Sequence, residues 1–306
     1  MYCPFLRGKQ YELIALREFA IAHPECENVL PIIEPVRLSN SGIVKAAKVM
    51  SNNRMHYAIV LNPQQGDFAI DDNSLDIGAL LSELDGNNIK PILALLVGDD
   101  VYSILNMVSQ DFMSNVMLIY QDSIDIDKNQ MLINHEKVEY IVAADVDSRS
   151  NCRSLLQTQK KIIRLDDRFI IRRPNVAYRG VEEDRYTEEF YYYKNDRFYG
   201  FSDYCVLPKL FSEGGGTPTA IALHLTYQKK QDSIWVRHFV SDEEFDSANI
   251  RNKYFSILQK VKTFFEDKTV TPAVNELLTD CIQFPGLGVL KKITIRNHME
   301  LVSNLI

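Results

Sequence analysis

The sequence predicts an α/β fold, a (β/α)8 TIM-like barrel with a C-terminal β-hairpin and a helical extension, on three observations. Eight apolar, strand-length runs begin near Tyr2, Val29, Tyr57, Lys90, Val116, Glu139, Lys161 and Tyr199. Their spacing of about 22 to 38 residues is what one strand, one helix and two short loops consume. Most runs end in a polar or acidic residue followed by a helix-like segment, and eight such units close a barrel whose chemistry gathers where the C-terminal strand ends meet.

The first unit joins a strand at Tyr2–Leu6 to a helix from Lys9 to Ala22, where Leu13, Ile14, Leu16 and Ala20 give one apolar face and His23-Pro24 ends it. The second strand, Val29 to Glu34, is continuously apolar up to its final carboxylate, as expected of a strand covered on both faces of a parallel sheet. Tyr57–Asn62 with a helix over Ser74–Leu84 makes the third unit, and Lys90–Val97 with a helix from Asp100 to Ser109, capped by Asp99 or Asp100, makes the fourth. Val116–Tyr120 is the fifth strand, followed by a short, weakly periodic segment. Tyr140–Asp147 turns from apolar to acidic and precedes a helix over Ser148–Gln157, and Lys161–Leu165 ends in Asp166-Asp167. An insert at about 172–197, dense in charge and tyrosine, separates that strand from the eighth, Phe198–Cys205, and a long irregular segment on a rigid barrel is a place where specificity resides.

Residues 1–212 therefore read as the barrel and 213–306 as the extension. In the extension Thr219–Tyr227 and Ser233–Val240 form an antiparallel hairpin around the polar turn Gln228–Asp232. Phe245, Ile250, Tyr254, Ile257, Leu258, Val261 and Phe265 then form a helical stripe, with further helices at Val274–Ile282 and Val289–Leu305 separated by Pro285-Gly286.

A chain of 306 residues, 46% hydrophobic, is long enough for one barrel of about 250 residues plus an appendage. Its net charge of −7 argues against a surface that grips nucleic acid broadly, although a local basic site is allowed. Cys3, Cys26, Cys152, Cys205 and Cys281 are scattered, with no pair at zinc or redox spacing, and are expected as reduced thiols of a cytoplasmic protein. The N-terminus has no secretory pattern and no apolar run reaches membrane-spanning length.

Tyr2-Cys3-Pro4-Phe5-Leu6-Arg7-Gly8-Lys9-Gln10-Tyr11-Glu12, Pro31-Ile32-Ile33-Glu34-Pro35, Asp145 and Gly200-Phe201-Ser202-Asp203-Tyr204, taken in this order, resemble the phage and bacterial "beta protein" family over roughly residues 1 to 240. The resemblance implies a phage or anti-phage gene context rather than a known reaction.

Carboxylates at strand ends, Glu34, Asp145 and Asp203 foremost, form the candidate catalytic and metal-ligating set, because hard cations such as Mg²⁺ or Mn²⁺ take oxygen ligands and phosphate supplies the remainder. Lys9 is placed with them as a catalytic cation and Arg7 as an anion binder, with Glu12 three residues along the helix to orient Lys9. Arg172, Arg237 and His238 complete the candidate substrate-binding set. An Asp just past a strand also caps the next helix, which is the more common role for Asp99, Asp122, Asp147 or Asp166, whereas Glu34 before Pro35 is a poor cap. Gly214-Gly215-Gly216 follows the eighth strand, where backbone N–H groups of barrels bind phosphate, but it lacks a Walker lysine and reads more readily as a flexible link, and no Ser or Cys nucleophile signature is present. The set points to a barrel that binds, and hydrolyses or transfers, a phosphorylated or nucleotide-like ligand with divalent metal, a metal-assisted phosphoester hydrolase in its enzymatic form. The alternative is a non-catalytic scaffold whose insert or C-terminal helices dock a protein partner such as a nuclease.

Overall fold

The chain is described by a computed structural model over residues 1–70, 72–98, 101–111, 115–122, 124–144, 150–212, 219–242 and 250–306. Among these residues eight parallel strands form one sheet in sequence order: β1 (Phe5–Leu6), β2 (Ile32–Ile33), β3 (Ala58–Val60), β4 (Ile92–Leu96), β5 (Val116–Tyr120), β6 (Val138–Ala144), β7 (Lys161–Leu165) and, after a strand β8 (Glu183–Thr187) that belongs to another sheet, β9 (Gly200–Ser202). The ends of this sheet meet. The N–H of Cys3 donates to Phe201 O at 2.8 Å, that of Phe5 to Asp203 O at 2.8 Å, and that of Phe201 to Met1 O at 3.0 Å. A side chain at Gly200 would bring its Cβ within 2.5 Å of Met1 O, so the closing seam requires glycine.

Helices α1 (Gln10–Ala22), α2 (Ser41–Asn52), α3 (Ile77–Leu84), α4 (Val101–Asp111), α5 (Ile126–Ile133) and α6 (Ser150–Leu155) alternate with the strands, and α7 (Glu189–Tyr192) precedes β9. The predicted barrel is thus the observed fold. The fifth and seventh strands have the predicted bounds, whereas the first four and the eighth are shorter as regular ladders than predicted, with Tyr2 continuing the first only as bridges to Val29 and Phe201. Elements that go beyond the sequence reading include α2, β8 and α7. Helix α2 follows β2, where Ile43, Ala46, Ala47 and Met50 are buried at helical spacing. Strand β8 lies within the insert.

The hairpin, β10 (Ala222–Lys230) and β11 (Ser233–Val240), pairs antiparallel as predicted, and β8 adds to β11 as the third strand, so this sheet draws on both sides of the 212/213 boundary. Helices α8 (Ile250–Phe265), α9 (Pro272–Thr279) and α10 (Leu287–Leu305) cover it. Leu223, Leu225 and Phe239 share a core with Tyr254, Ile257, Val261 and Leu277. Among the described residues no helix is long and apolar enough to cross a membrane, and all five cysteines are free.

Strand alternation sorts the barrel side chains into two layers. Phe5, Ile32, Val60, Leu96, Ile119, Val142 and Leu165 fill the interior, while Tyr2, Leu6, Ile33, Ile59, Leu95, Leu118 and Phe201 pack outward under the helices. Asp203 follows the outward parity of Phe201. Its carboxylate accepts from Tyr2 Oη at 2.8 Å, from the Cys205 N–H at 2.8 Å and from His298 Nε2 at 3.1 Å. His298 belongs to α10, and its Nδ1 lies 3.2 Å from the Thr226 hydroxyl of β10. One buried carboxylate therefore ties the barrel seam to the C-terminal extension. Burial opposes its ionisation, but His298 and the bonds from Cys205 and Tyr2 outweigh it and hold the carboxyl below its ordinary value. A second buried network, Lys292 and Arg296 with Glu18, Glu276 and Glu300, locks α10 to α1 and α9.

Asp203→Ala leaves three buried groups without their acceptor, so chemical denaturation near neutral pH is expected to show a loss of about 3 to 5 kcal/mol. Because the folded pKa lies below the unfolded one, that stabilisation is complete above about pH 4 and disappears as pH falls through the folded value. The gap between wild type and variant is therefore expected to close in acid and not at alkaline pH.

Candidate functional site

The site is built by interior parity one step beyond the strands. Arg7 after β1, Glu34 after β2, Asn62 after β3, Gln121 after β5, Asp167 after β7 and Tyr204 after β9 continue the inward-facing rows. Gly8, at φ +61°, turns the chain off β1, and a Cβ there would approach Glu34 O to 3.0 Å. The guanidinium of Arg7 is stacked over Phe5 at 4.8 Å and Tyr204 at 5.2 Å. Its Nη1 donates to Glu34 Oε2 and its Nη2 to Lys209 O, while Glu34 Oε1 accepts from the Gln64 N–H at 3.1 Å.

The segment after β9 crosses the mouth as a strap. Lys209 Nζ donates to Gln121 O at 2.9 Å on the far side, Phe211 N–H donates to Gln65 Oε1 at 2.5 Å, and Lys9 Nζ donates to Ser212 O while lying 4.3 Å above the Phe211 ring. Beneath the strap, among the described residues, Arg7 Nε and Gln121 Nε2 are buried without hydrogen-bond partners, and Tyr204 Oη, which Arg7 approaches, has no acceptor for its own proton. All three are able to donate. Burial of an unpaired polar group is costly, so this end of the barrel is suited to an occupant rich in acceptor oxygens, water or ligand.

Electrostatics at the mouth follow from depth. Burial raises the Glu34 carboxyl above its ordinary value, more than Arg7 and the Gln64 N–H lower it. Asp167 is likewise raised by burial against the pull of Lys209 and Arg7. The Tyr204 phenol is raised by burial and stays a donor. The mouth thus holds a carboxyl moved toward neutral pH beside a fixed cation, an arrangement suited to proton exchange with a bound acceptor.

The predicted site residues divide. Arg7 and Glu34 meet in the mouth, and Lys9 stands at its edge holding the strap. Asp203 does not join them, because its strand position faces outward and its oxygens are taken by Tyr2, Cys205 and His298. Glu12 does not orient Lys9: its Oε2 accepts from the Arg7 N–H at 2.6 Å and its Oε1 from Lys291 Nζ at 2.6 Å. Arg172, Arg237 and His238 lie with the three-stranded sheet, away from the barrel-mouth contacts. Arg172 grips Asp184 through both terminal nitrogens at 2.5 and 3.0 Å, and His238 Nε2 meets Asp184 at 2.9 Å. His238 Nδ1 lies 2.7 Å from His224 Nδ1, and burial holds both imidazoles below their ordinary pKa, His224 at about 3. Arg237 pairs with Glu182 at 2.6 Å. Asp145 and Gly214-Gly215-Gly216 lie outside the described residues, as do Asp99, Asp100 and Asp147.

Sequence reading missed Asp167 as an inward residue, and Tyr204, Gln121 and Lys209 altogether. The signal for the first two was parity with Leu165 and Ser202. Glu34 and Asp203 sit on opposite faces of the sheet with their oxygens already paired, so they do not fit a shared Mg²⁺ or Mn²⁺; among the described residues no three His, Cys, Asp or Glu side chains gather as a metal site. No family model matches the chain, and no curated protein matches it.

The raised Glu34 pKa carries a sign. Between about pH 4.5 and its folded value the native state binds more protons than the unfolded chain, so stability contributed at this position falls as pH rises. Wild type is expected to lose ground to Glu34→Gln as pH is raised from about 4 to 7 in denaturant titrations. A gain with rising pH would mean that attraction to Arg7 outweighs burial.

Proposed function

We propose that the barrel mouth binds a small, acceptor-rich anion of the phosphorylated or nucleotide-like class, and that Glu34 exchanges a proton with it. The observation that carries this reading is the trio of buried, unpaired donors, Arg7 Nε, Gln121 Nε2 and Tyr204 Oη, beside a carboxyl with a raised pKa. Phosphoryl oxygens accept several hydrogen bonds at once, and a guanidinium supplies charge that a neutral donor does not. Lys209, which crosses from Arg7 to Gln121, would add a second cation above the ligand. Transfer or hydrolysis would then use Glu34 as acid or base, with Asp167 at the solvent side. Metal assistance is not part of this reading, since the paired oxygens of Glu34 and Asp203 do not fit it. A role among phage or anti-phage functions rests on the sequence resemblance.

One observation favours a second reading, a non-catalytic scaffold for a partner protein: Arg7 and Lys9 already donate to strap carbonyls, those of Lys209 and Ser212, which is how a closed mouth would be held.

Calorimetric titration with nucleoside monophosphates and sugar phosphates separates the two. The mouth reading expects one site, weakened about 10-fold or more in Tyr204→Phe, since a hydrogen bond to a charged group contributes about 1.5 to 3 kcal/mol. No heat at about 1 mM ligand, an affinity limit near 4 kcal/mol, would leave the scaffold reading in its place.

A further inference from the structure

On the same end of the barrel, between α1 and α2, lies a groove of about 290 Å³ lined by Arg17, Arg37, Lys45, Gln10, Ser39 and Ser41, with the backbone of Gly8 and Gly42 completing it. Among the described residues three cations and no carboxylate line it, in a chain whose net charge is −7. Arg37 is held at 2.9 Å by Asp67, a residue outside the lining, which fixes its guanidinium at the rim. Arg17 Nε is buried without a hydrogen-bond partner, and Lys45 stands exposed on α2. The Ser39 and Ser41 hydroxyls lie 3.1 Å apart at the groove. The N-cap of α2, Asn40, makes no side-chain cap, so the first turn of this 12-residue helix adds amide donors at Gly42 and Ile43, both of which line the groove.

Arg37 already has Asp67 as its counter-charge, whereas Arg17 and Lys45 have no carboxylate partner among the described residues, and two like charges facing one groove are stabilised by an anion that bridges them. We propose that this groove is a binding site for a small, multiply charged oxyanion, a phosphate or diphosphate group. Arg17 and Lys45 approach from facing helices, Arg37 closes the rim, and the serine hydroxyls with the α2 amides supply shorter-range donors. None of these side chains lines the barrel mouth, so the assignment stands apart from the mouth reading. The source of the group, a free anion or the phosphate end of a larger molecule, is distinguished by size: a nucleoside diphosphate that binds more tightly than inorganic pyrophosphate identifies the larger one.

The test is an amide-resolved NMR titration of the full chain with inorganic pyrophosphate and, separately, with a nucleoside diphosphate at low ionic strength. The Gly42 and Ile43 resonances are expected to shift saturably, with an affinity that falls as salt is added. Lys45→Glu, at an exposed position that does not threaten folding, is expected to weaken the titration at least about 10-fold, as is Arg17→Gln, because each removes a charge-assisted contact. Tyr204→Phe is expected to leave these two resonances titrating as in the unaltered chain. Absence of a saturable shift at Gly42 and Ile43, or equal affinity in Lys45→Glu, overturns the assignment whatever happens at the mouth.

Discussion

The interaction on which the rest of the molecule depends is the buried carboxylate of Asp203. It accepts from Tyr2 at the first strand, from the backbone that follows the last strand, and from His298 on the final helix. A barrel of short strands has few ladder bonds at its seam, here those joining Met1, Cys3 and Phe5 to Phe201 and Asp203. A charged acceptor shared by three donors adds to that seam what the ladder alone does not supply. It also fixes register. With Asp203 held outward, Tyr204 must point inward, and the strap from Val206 to Ser212 is launched across the mouth.

The mouth follows from this placement. Arg7 is sandwiched against Phe5 and Tyr204 and is satisfied by Glu34 and Lys209 O, which leaves its Nε and the neighbouring Tyr204 and Gln121 donors unpaired. Two buried carboxyls that follow barrel strands, Asp203 and Glu34, thus have opposite fates. Asp203, surrounded by donors, is stabilised as an anion; Glu34, also buried but with fewer donors, is pushed the other way despite its arginine. Burial outweighs two partners at Glu34, where three partners outweigh burial at Asp203.

The fold was legible because eight apolar runs at βα spacing leave few alternatives. Which strand-end residue faces the mouth was far less so. Strands covered on both faces show no simple alternation, and in Phe201-Ser202-Asp203-Tyr204 the two polar residues fall on opposite faces, so parity cannot be read from the sequence. Counting back from Asp203 through Phe201, against Cys3 and Phe5 across the seam, supplies that parity only once the pairing is known. The pairing of β6 adds a further obstacle: a register shift between Val116 and Met117, with Glu139 as the extra residue, reverses its inward positions. In the sequence Arg172 is a candidate substrate-binding residue from the charged insert and His238 one from the hairpin, whereas the charged stretch Glu183–Thr187 is a strand that binds β11 and carries Asp184 to them. Its alternation is masked by charges that pair across the sheet, as Glu183 does with Lys229.

The most direct measurement of this account is a carboxyl carbon-13 NMR titration that follows Asp203 and Glu34 in the same sample. Sorting of the two residues onto opposite faces of the sheet predicts that Asp203 titrates below the ordinary aspartate range and Glu34 above the ordinary glutamate range. Midpoints displaced the other way, or both at ordinary values, would contradict the placement of one carboxylate in a ring of donors and the other at the bottom of the mouth.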